Sequence, residues 1–363
     1  MGPTGSCSGA ALVEGNDARD LTAHIEVHDR LDRTQWDLFV LAQPAANFYQ
    51  RYGWADVARE ALGHRPHYLA ALRRGEVVGV LPLIEIRSRL FGHSLVSTAF
   101  CVGGGPLAKD AAALEALLTH AEGLGRELGV DYVEVRDATG LRNRWVPKEG
   151  LYAGFERAIA TDEAECLKQI PRKQRAVVRH ALQSNLTFKI DSDASTFFRL
   201  HARTFRNHGT PVYARRFFDA ILRAFGEDCD ILTVWDRGEP VSSVMSYYIR
   251  GRVTPYFTGS IARARALGAN DLMYWQLMRH AVARGCKSFD FGRSKVGTGP
   301  FAFKKNWGFE PRAITNWYHL VKAKELPNLN PTNPKYALAI KAWRLMPVPV
   351  ATFISQFISR DIA

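Results

Sequence analysis

The sequence predicts an α/β protein built from two tandem copies of one mixed-sheet module. Three observations predict it. A β-rich hairpin pattern occurs twice, at residues 68–88 (YLAALRRGEVVGVLPLIEIRS) and 231–251 (ILTVWDRGEPVSSVMSYYIRG). Each copy is followed in the same order by a strand, a glycine-bearing loop, an amphipathic helix and a further strand. The spacing between matching features is nearly constant: 163 residues from Arg74 to Arg237, 161 from Asp110 to Asp271 and 156 from Gly129 to Gly285. So small a drift indicates duplication rather than a chance likeness of α/β segments.

The elements follow in chain order. The 363 residues, 47% hydrophobic and 23% charged, suit two domains that each bury a core. Residues 1–20, rich in Gly, Ser and Ala, lack the basic-then-apolar order of a secretory signal and read as a disordered leader. The first module spans 21–160. Its hairpin turns at Arg74-Gly75-Glu76, where glycine supplies the positive φ of a tight turn. A strand over 95–102 leads to Gly103-Gly104-Gly105. Asp110 then caps a helix striped by Leu114, Leu117, Leu118, Ala121, Leu124 and Leu128, ended by Gly129 before a strand at 130–135.

A basic connector over 161–190 holds a helix at 162–184, broken near Pro171. The second module, 191–325, opens with helices at 194–206 and 215–225. Its hairpin turns at Arg237-Gly238-Glu239, and a strand over 253–259 leads to a loop containing Gly268. Asn270 or Asp271 caps the next helix, which sets Leu272, Trp275, Met278 and Val282 on one face. Gly285 ends it before a strand at 286–291. Residues 326–363 form a helical tail: a helix from Asn333, a break at Met346-Pro347-Val348-Pro349, and a short apolar helix. The stretch 347–358 (PVPVATFISQFI) is too short to span a bilayer. It suits a core helix over the second module, with peripheral membrane contact as the alternative.

Net charge is +12, which favours anionic partners: a nucleotide, a diphosphate-linked carrier, tRNA or a membrane surface. A merely basic surface is the plain alternative. Cys7, Cys101, Cys166, Cys229 and Cys286 are scattered singly, with no spacing for zinc or a disulfide framework. His64 and His67 flank Pro66 with no further ligand nearby, so no metal is expected. No transmembrane run is present, and the setting these features predict is cytoplasmic, with the inner face of the membrane as the alternative.

Four motifs can carry chemistry. In Arg265-Ala266-Leu267-Gly268-Ala269-Asn270, just before a helix, backbone N–H groups and the helix N-terminus can cradle a pyrophosphate, with Arg265, Gly268 and Asn270 as donor-binding candidates. Plain helix capping by Asn270 is the structural alternative. In Phe289-Asp290-Phe291-Gly292-Arg293-Ser294-Lys295, alternation buries the two phenylalanines and turns Asp290 to the other face. Asp290, Arg293 and Lys295 then lie where the last strand opens into a loop, a usual position for ligands in α/β sheets. A structural Asp–Arg pair competes with this reading. In Phe301-Ala302-Phe303-Lys304-Lys305-Asn306-Trp307, aromatic flanks can anchor Lys304 or Lys305 so that its ammonium meets a phosphate or a developing oxyanion. On a helix from Pro171, Arg172, Arg175 and Arg179 share one face, which suits a diphosphate or an RNA backbone as well as plain solvent.

The repeated order of hairpin, strand, glycine loop, helix and strand resembles the GNAT (acyl-CoA N-acyltransferase) fold, whose pyrophosphate loop Arg265 and Gly268 fit and Asn270 departs from. Further segments resemble the FemAB family, in particular its branch associated with exosortase (XrtA)/PEP-CTERM exopolysaccharide systems. They include Gly79-Val80-Leu81-Pro82-Leu83, Pro171-Arg172-Lys173-Gln174-Arg175, Gly209-Thr210-Pro211, residues 290–299 (DFGRSKVGTG), Phe303-Lys304-Lys305-Asn306-Trp307-Gly308-Phe309 and Asn333-Pro334-Lys335-Tyr336. The resemblance implies two GNAT-like subdomains and transfer of an acyl or aminoacyl group onto an amine of a cell-wall or exopolysaccharide precursor. It implies a cleft for a diphosphate-linked substrate, lined by Lys304 or Lys305. No tightly bound cofactor is implied; the donor is acyl-CoA or aminoacyl-tRNA. The long charged heptad insertion of the staphylococcal Fem factors is absent, which counts against tRNA as donor and leaves acyl-CoA or another activated acyl donor open. On this reading Asp290 takes the amine proton, Lys304 or Lys305 stabilises charge, and Arg293 holds an anionic group. A non-catalytic scaffold of an exopolysaccharide system, or RNA binding through the arginine helix, are the rival readings.

Overall fold

The computed structural model describes residues 24–138, 141, 145–327 and 337–362. The expected leader, Cys7 and the segment Asn333-Pro334-Lys335-Tyr336 lie outside them. Two mixed sheets organise the described chain. The first runs, in spatial order, β1 (Ile25–His28), β2 (Arg65–Arg73), β3 (Glu76–Ser88), β4 (Gly92–Ser97), β6 (Tyr132–Val135), β15 (Asn316–Leu320) and β7 (Val146–Lys148), with the short β5 (Leu107–Ala108) beside β3. The second runs β9 (Leu186–Asp191), β10 (Cys229–Asp236), β11 (Glu239–Ile249), β12 (Arg252–Ser260), β13 (Ser288–Lys295), β8 (Tyr152–Ala158) and β14 (Pro311–Ala313).

The two orders match position by position. Both contain an antiparallel meander whose last strand runs parallel to the next one, β4 with β6 and β12 with β13. This is the duplicated α/β module that the repeat predicts. Its hairpin turns are near-identical: Arg74 and Gly75 have φ of 51° and 82°, Arg237 and Gly238 have 51° and 83°. Two successive left-handed residues give a turn whose twist agrees with that of the strands it joins.

Sheet membership crosses the boundaries that the sequence suggests. β8, from residues assigned to the first module, pairs with β13 in the second sheet. β15, from residues assigned to the second, pairs with β6 in the first. Each sheet thus receives its sixth strand from the other half of the chain. The modules also share a core, in which Phe48 stacks on Tyr247 with ring centroids 4.0 Å apart and Trp54 meets Phe217 and Phe225.

Helix α1 (Arg33–Ala42) is capped by the Asp32 carboxylate, which accepts from Thr34 N and Gln35 N. In α2 (Ala111–Leu128), Asp110 caps the first turn by accepting from Ala113 N at 2.9 Å, and Gly129 ends the helix at φ 63°. The connector is two helices, α3 (Glu163–Lys168) and α4 (Arg172–Leu182), with Pro171 at the break. Next come α5 (Ser195–His208) and α6 (Arg215–Phe225).

The second repeat's helix departs from expectation. α7 (Ala269–Ala283) starts at Gly268, φ 66°, and has no side-chain cap. The Asn270 amide oxygen instead accepts from Ser242 Oγ at 2.8 Å. Asp271 is buried and accepts from Trp307 Nε1 at 3.1 Å and from the Gln174 amide. Both side chains turn into the protein because donors wait there: Ser242 on β11 for Asn270, and Gln174 on α4 with Trp307, just after α8 (Gly299–Asn306), for Asp271.

The tail forms α9 (Ala337–Leu345) and α10 (Val348–Ile358). α10 buries Ala351 and Ser355, whose hydroxyl accepts from Val212 N at 3.1 Å, and leaves Val350, Phe353 and Phe357 exposed. It covers the second module with one face only. Among the described residues no helix is long and apolar enough to cross a membrane.

Candidate active site

The site grows from the way β12 and β13 part. They pair only through Arg252 with Ser288 and Val253 with Phe289, and Asp290 follows directly. Here β13 also loses register with β8 between Asp290 and Arg293, at a bulge where Gly292 takes φ 64°. A left-handed residue at this point bends the strand and re-aims its neighbours. The Asp290 carboxylate accepts from Gly292 N at 2.8 Å, which fixes it on the bulge.

Lys304, in α8, is 9% exposed and locks that bulge from behind. Its Nζ donates to Phe291 O at 2.6 Å, Gly292 O at 3.3 Å and Arg293 O at 2.9 Å. An ammonium has three protons, and three consecutive carbonyls take them. The anchoring aromatics are Phe155 and Phe291, with centroids 5.5 and 5.9 Å from Nζ. Lys304 therefore braces the strand; it does not present a free ammonium, as the sequence pattern suggests. Lys305 is exposed on the other side of α8.

Burial pushes the Asp290 carboxyl up to about 6, with Glu156 across the strand adding to the rise and the Gly292 N–H opposing it. Burial likewise pulls Lys304 down to about 8 against the attraction of Asp290. A carboxyl raised in this way beside a cleft is a candidate proton acceptor, whereas the lysine is held by the carbonyls it braces.

Asp290 opens on a cleft of about 770 Å³ between the modules, whose walls include Asn47, Tyr49 and Asp137 from the first half of the chain. Two cleft arginines are paired: Arg252 donates to Glu156 at 2.7 Å, and Arg312 grips Asp137 with two bonds of 2.8 and 2.7 Å. Arg293 differs. Its guanidinium lies 4.3 Å over the Tyr152 ring and takes no hydrogen bond or ion pair among the described residues. Lys295, partly buried, ends the strand.

The remaining candidates lie elsewhere. Arg265 is exposed in the short turn Arg263–Ala266. Gly268 is buried under α4, where an added Cβ would stand 3.2 Å from Ala181 Cβ. Arg172 and Arg179 are exposed, but Arg175 turns back onto Ile170 O and Lys168 O at 3.0 and 3.1 Å. The expected row of three arginines is thus a pair, because the broken helix leaves carbonyls that the middle one satisfies. None of these residues lines the cleft around Asp290. Glu156, Arg252, Arg312 and Asp137 escape a reading of the sequence, since strand pairing and the meeting of the two modules, not sequence proximity, bring them to the cleft of Asp290.

Residues 164–305 match the family model described as an acetyltransferase (GNAT) domain. No curated protein sequence matches the chain. Among solved structures, FemX superposes with a TM-score of 0.67 at 18% identity, over 87% of this chain and 100% of that one. A tandem GNAT protein from the clavulanic acid biosynthesis pathway gives 0.54 at 12% identity, over 83% and 100%. The C-terminal domain (DUF2156) of a putative lysylphosphatidylglycerol synthetase from Agrobacterium fabrum gives 0.52 at 14%, over 78% and 91%. At these identities the likeness is one of fold. The chain folds as two tandem GNAT modules arranged as in FemX.

Proposed function

We propose that the protein is an N-acyltransferase that moves an acyl or aminoacyl group onto a substrate amine held in the cleft between the modules. The observation that carries this reading is Asp290: a half-buried carboxylate, shifted to about 6, at the point where β12 and β13 separate. At neutral pH most of it is ionised and ready to accept a proton. The amine nitrogen attacks the carbonyl carbon of an activated thioester or ester, forming the C–N bond. The C–S or C–O bond then breaks, Asp290 accepts the amine proton, and the leaving group departs with the electron pair. Holding both reactants in one cleft supplies orientation.

Lys304 acts as a positioning residue that keeps the bulge in shape, and Arg293 is the group that meets negative charge on a substrate. The GNAT match over residues 164–305 supports acyl-CoA as donor to the second module; an aminoacyl-tRNA donor rests on the FemAB resemblance. An amine on a cell-wall or exopolysaccharide precursor is the acceptor that the same resemblance supports.

The test is direct. The purified protein is incubated with acyl-CoAs or aminoacyl-tRNA and a panel of amines, including amino sugars and peptidoglycan precursors, and amide products are read by mass. The Asp290→Asn protein should form product at least about a hundredfold more slowly. Product formation at the wild-type rate by that variant would end the proposal.

A further inference from the structure

Beside the cleft, and meeting it at Arg293 and Ile314, lies a smaller cavity of about 110 Å³. Both sheets build it. Glu134 on β6, Lys148 on β7 and Asn316 on β15 belong to the first; Tyr152 on β8 and Arg293 on β13 belong to the second. Arg136, just after β6, completes a wall of three cations and one carboxylate.

The charges do not cancel. Arg136 is 4% exposed and already served: its Nε donates to Glu134 at 3.0 Å and its Nη1 to Cys101 O at 2.7 Å. Glu134 also accepts from Asn316 Nδ2 at 2.9 Å. Among the described residues neither of the other two has a carboxylate as hydrogen-bond or ion-pair partner, though Glu134 attracts Lys148 at longer range. Lys148 Nζ donates to the carbonyl of Pro327 at 2.5 Å, and burial draws its pKa below the ordinary lysine range. Among the described residues the Arg293 guanidinium meets only the face of Tyr152. Two uncompensated cations on one polar enclosure raise the free energy of the empty site, and an anion between them would lower it.

Size narrows the anion. A single water needs roughly 15 Å³ in this measure, so the chamber holds a group of several heavy atoms and not a nucleotide. Arg293 offers a planar fork, already stacked and so pre-oriented, which suits two oxygens of one group. We infer that this chamber seats a compact oxyanion, a phosphoryl or carboxylate group, carried by the amine acceptor. Asp290 and Arg293 flank one bulge, so the anion binds on one side of it while the amine lies on the other. Acceptors bearing such a group a short distance from the amine are the substrate class this selects. The link to the acceptor rests on the proposed transfer reaction; the anion site itself does not.

The experiment therefore measures binding, not turnover. Full-length protein is titrated calorimetrically with inorganic phosphate and, separately, with acetate, and melting is followed with each anion. Arg293→Met, Lys148→Met and the exposed control Arg172→Met are compared, with Arg293→Lys as a milder variant that keeps charge and loses the fork. Saturable binding is expected, with melting raised by the anion that binds. Affinity should fall about tenfold or more in Arg293→Met and Lys148→Met and remain unchanged in Arg172→Met. Should either methionine variant melt before titration, Arg293→Lys decides, and it should bind more weakly than wild type. A response to phosphate alone assigns a phosphoryl group, to acetate alone a carboxylate, and to both a general oxyanion seat. No saturable binding of either anion, or equal losses in Arg172→Met, would overturn the inference. Anion binding without any acyl transfer would leave the chamber standing and the transfer reaction refuted.

Discussion

A lysine whose three N–H groups end on three successive carbonyls cannot also hold an oxyanion, and this separates Lys304 from its neighbour. Replacing Lys304 by Met strands the carbonyls of Phe291, Gly292 and Arg293 in a buried setting. Chemical denaturation should show a loss of about 1–3 kcal/mol, and transfer should fall because the bulge no longer fixes Asp290. Lys305→Met, at an exposed position, should leave both unchanged. The sequence marks the pair and not the division of labour, since adjacent residues of a helix point in different directions and only packing chooses between them. Asp290 sets the pH dependence. With its carboxyl at about 6, kcat/KM should fall tenfold per unit as the pH drops below that value and level off above it. The Asp290→Asn protein should lose this limb altogether, which a pH–rate profile reads. Alternation along β13 makes Asp290 legible. Its partner Glu156 is not, because it arrives on β8, a strand contributed by the first half of the chain.

Among elements, helix starts show where local reading stops. Asp110 caps α2 as its position predicts, since that end meets water and Arg73, which pairs with the same carboxylate at 2.8 and 3.1 Å. Asp271 at the matching place in α7 is enclosed, and its carboxylate serves Trp307 and Gln174 instead. The contact between β12 and α5 is likewise invisible in sequence. An added Cβ at Gly259 would lie 2.3 Å from His201 N and 2.5 Å from Leu200 C, against helix backbone that cannot rotate aside. Gly259→Ala should force strand and helix apart and lower stability by about 3 kcal/mol or more, measured as a shift of the urea midpoint at constant slope.

For the whole molecule, the duplicated order was legible because hairpins, caps and stripes are local patterns. The exchange of β8 and β15 was not, because strand pairing across a hundred or more residues leaves no local mark. It has a thermodynamic signature. Residues 1–160 expressed alone lack β15, which stands between β6 and β7; residues 161–363 lack β8, which stands between β13 and β14. Neither fragment should give a cooperative melting transition by calorimetry, and the intact chain should give one transition, not two.

The exchange also constrains how the cleft can work. Residues 149–151 carry the chain from β7 in one sheet to β8 in the other, and residues 314–315 carry it back from β14 to β15. Two-domain enzymes often swing about a single hinge to swallow a ligand. Here a pair of taut tethers, one on each crossing, fastens the walls together, and the jaw is in effect wired shut at its root. Reactants must enter through movements of side chains and rim loops, with the spacing between Asp290 and its substrates fixed before they arrive.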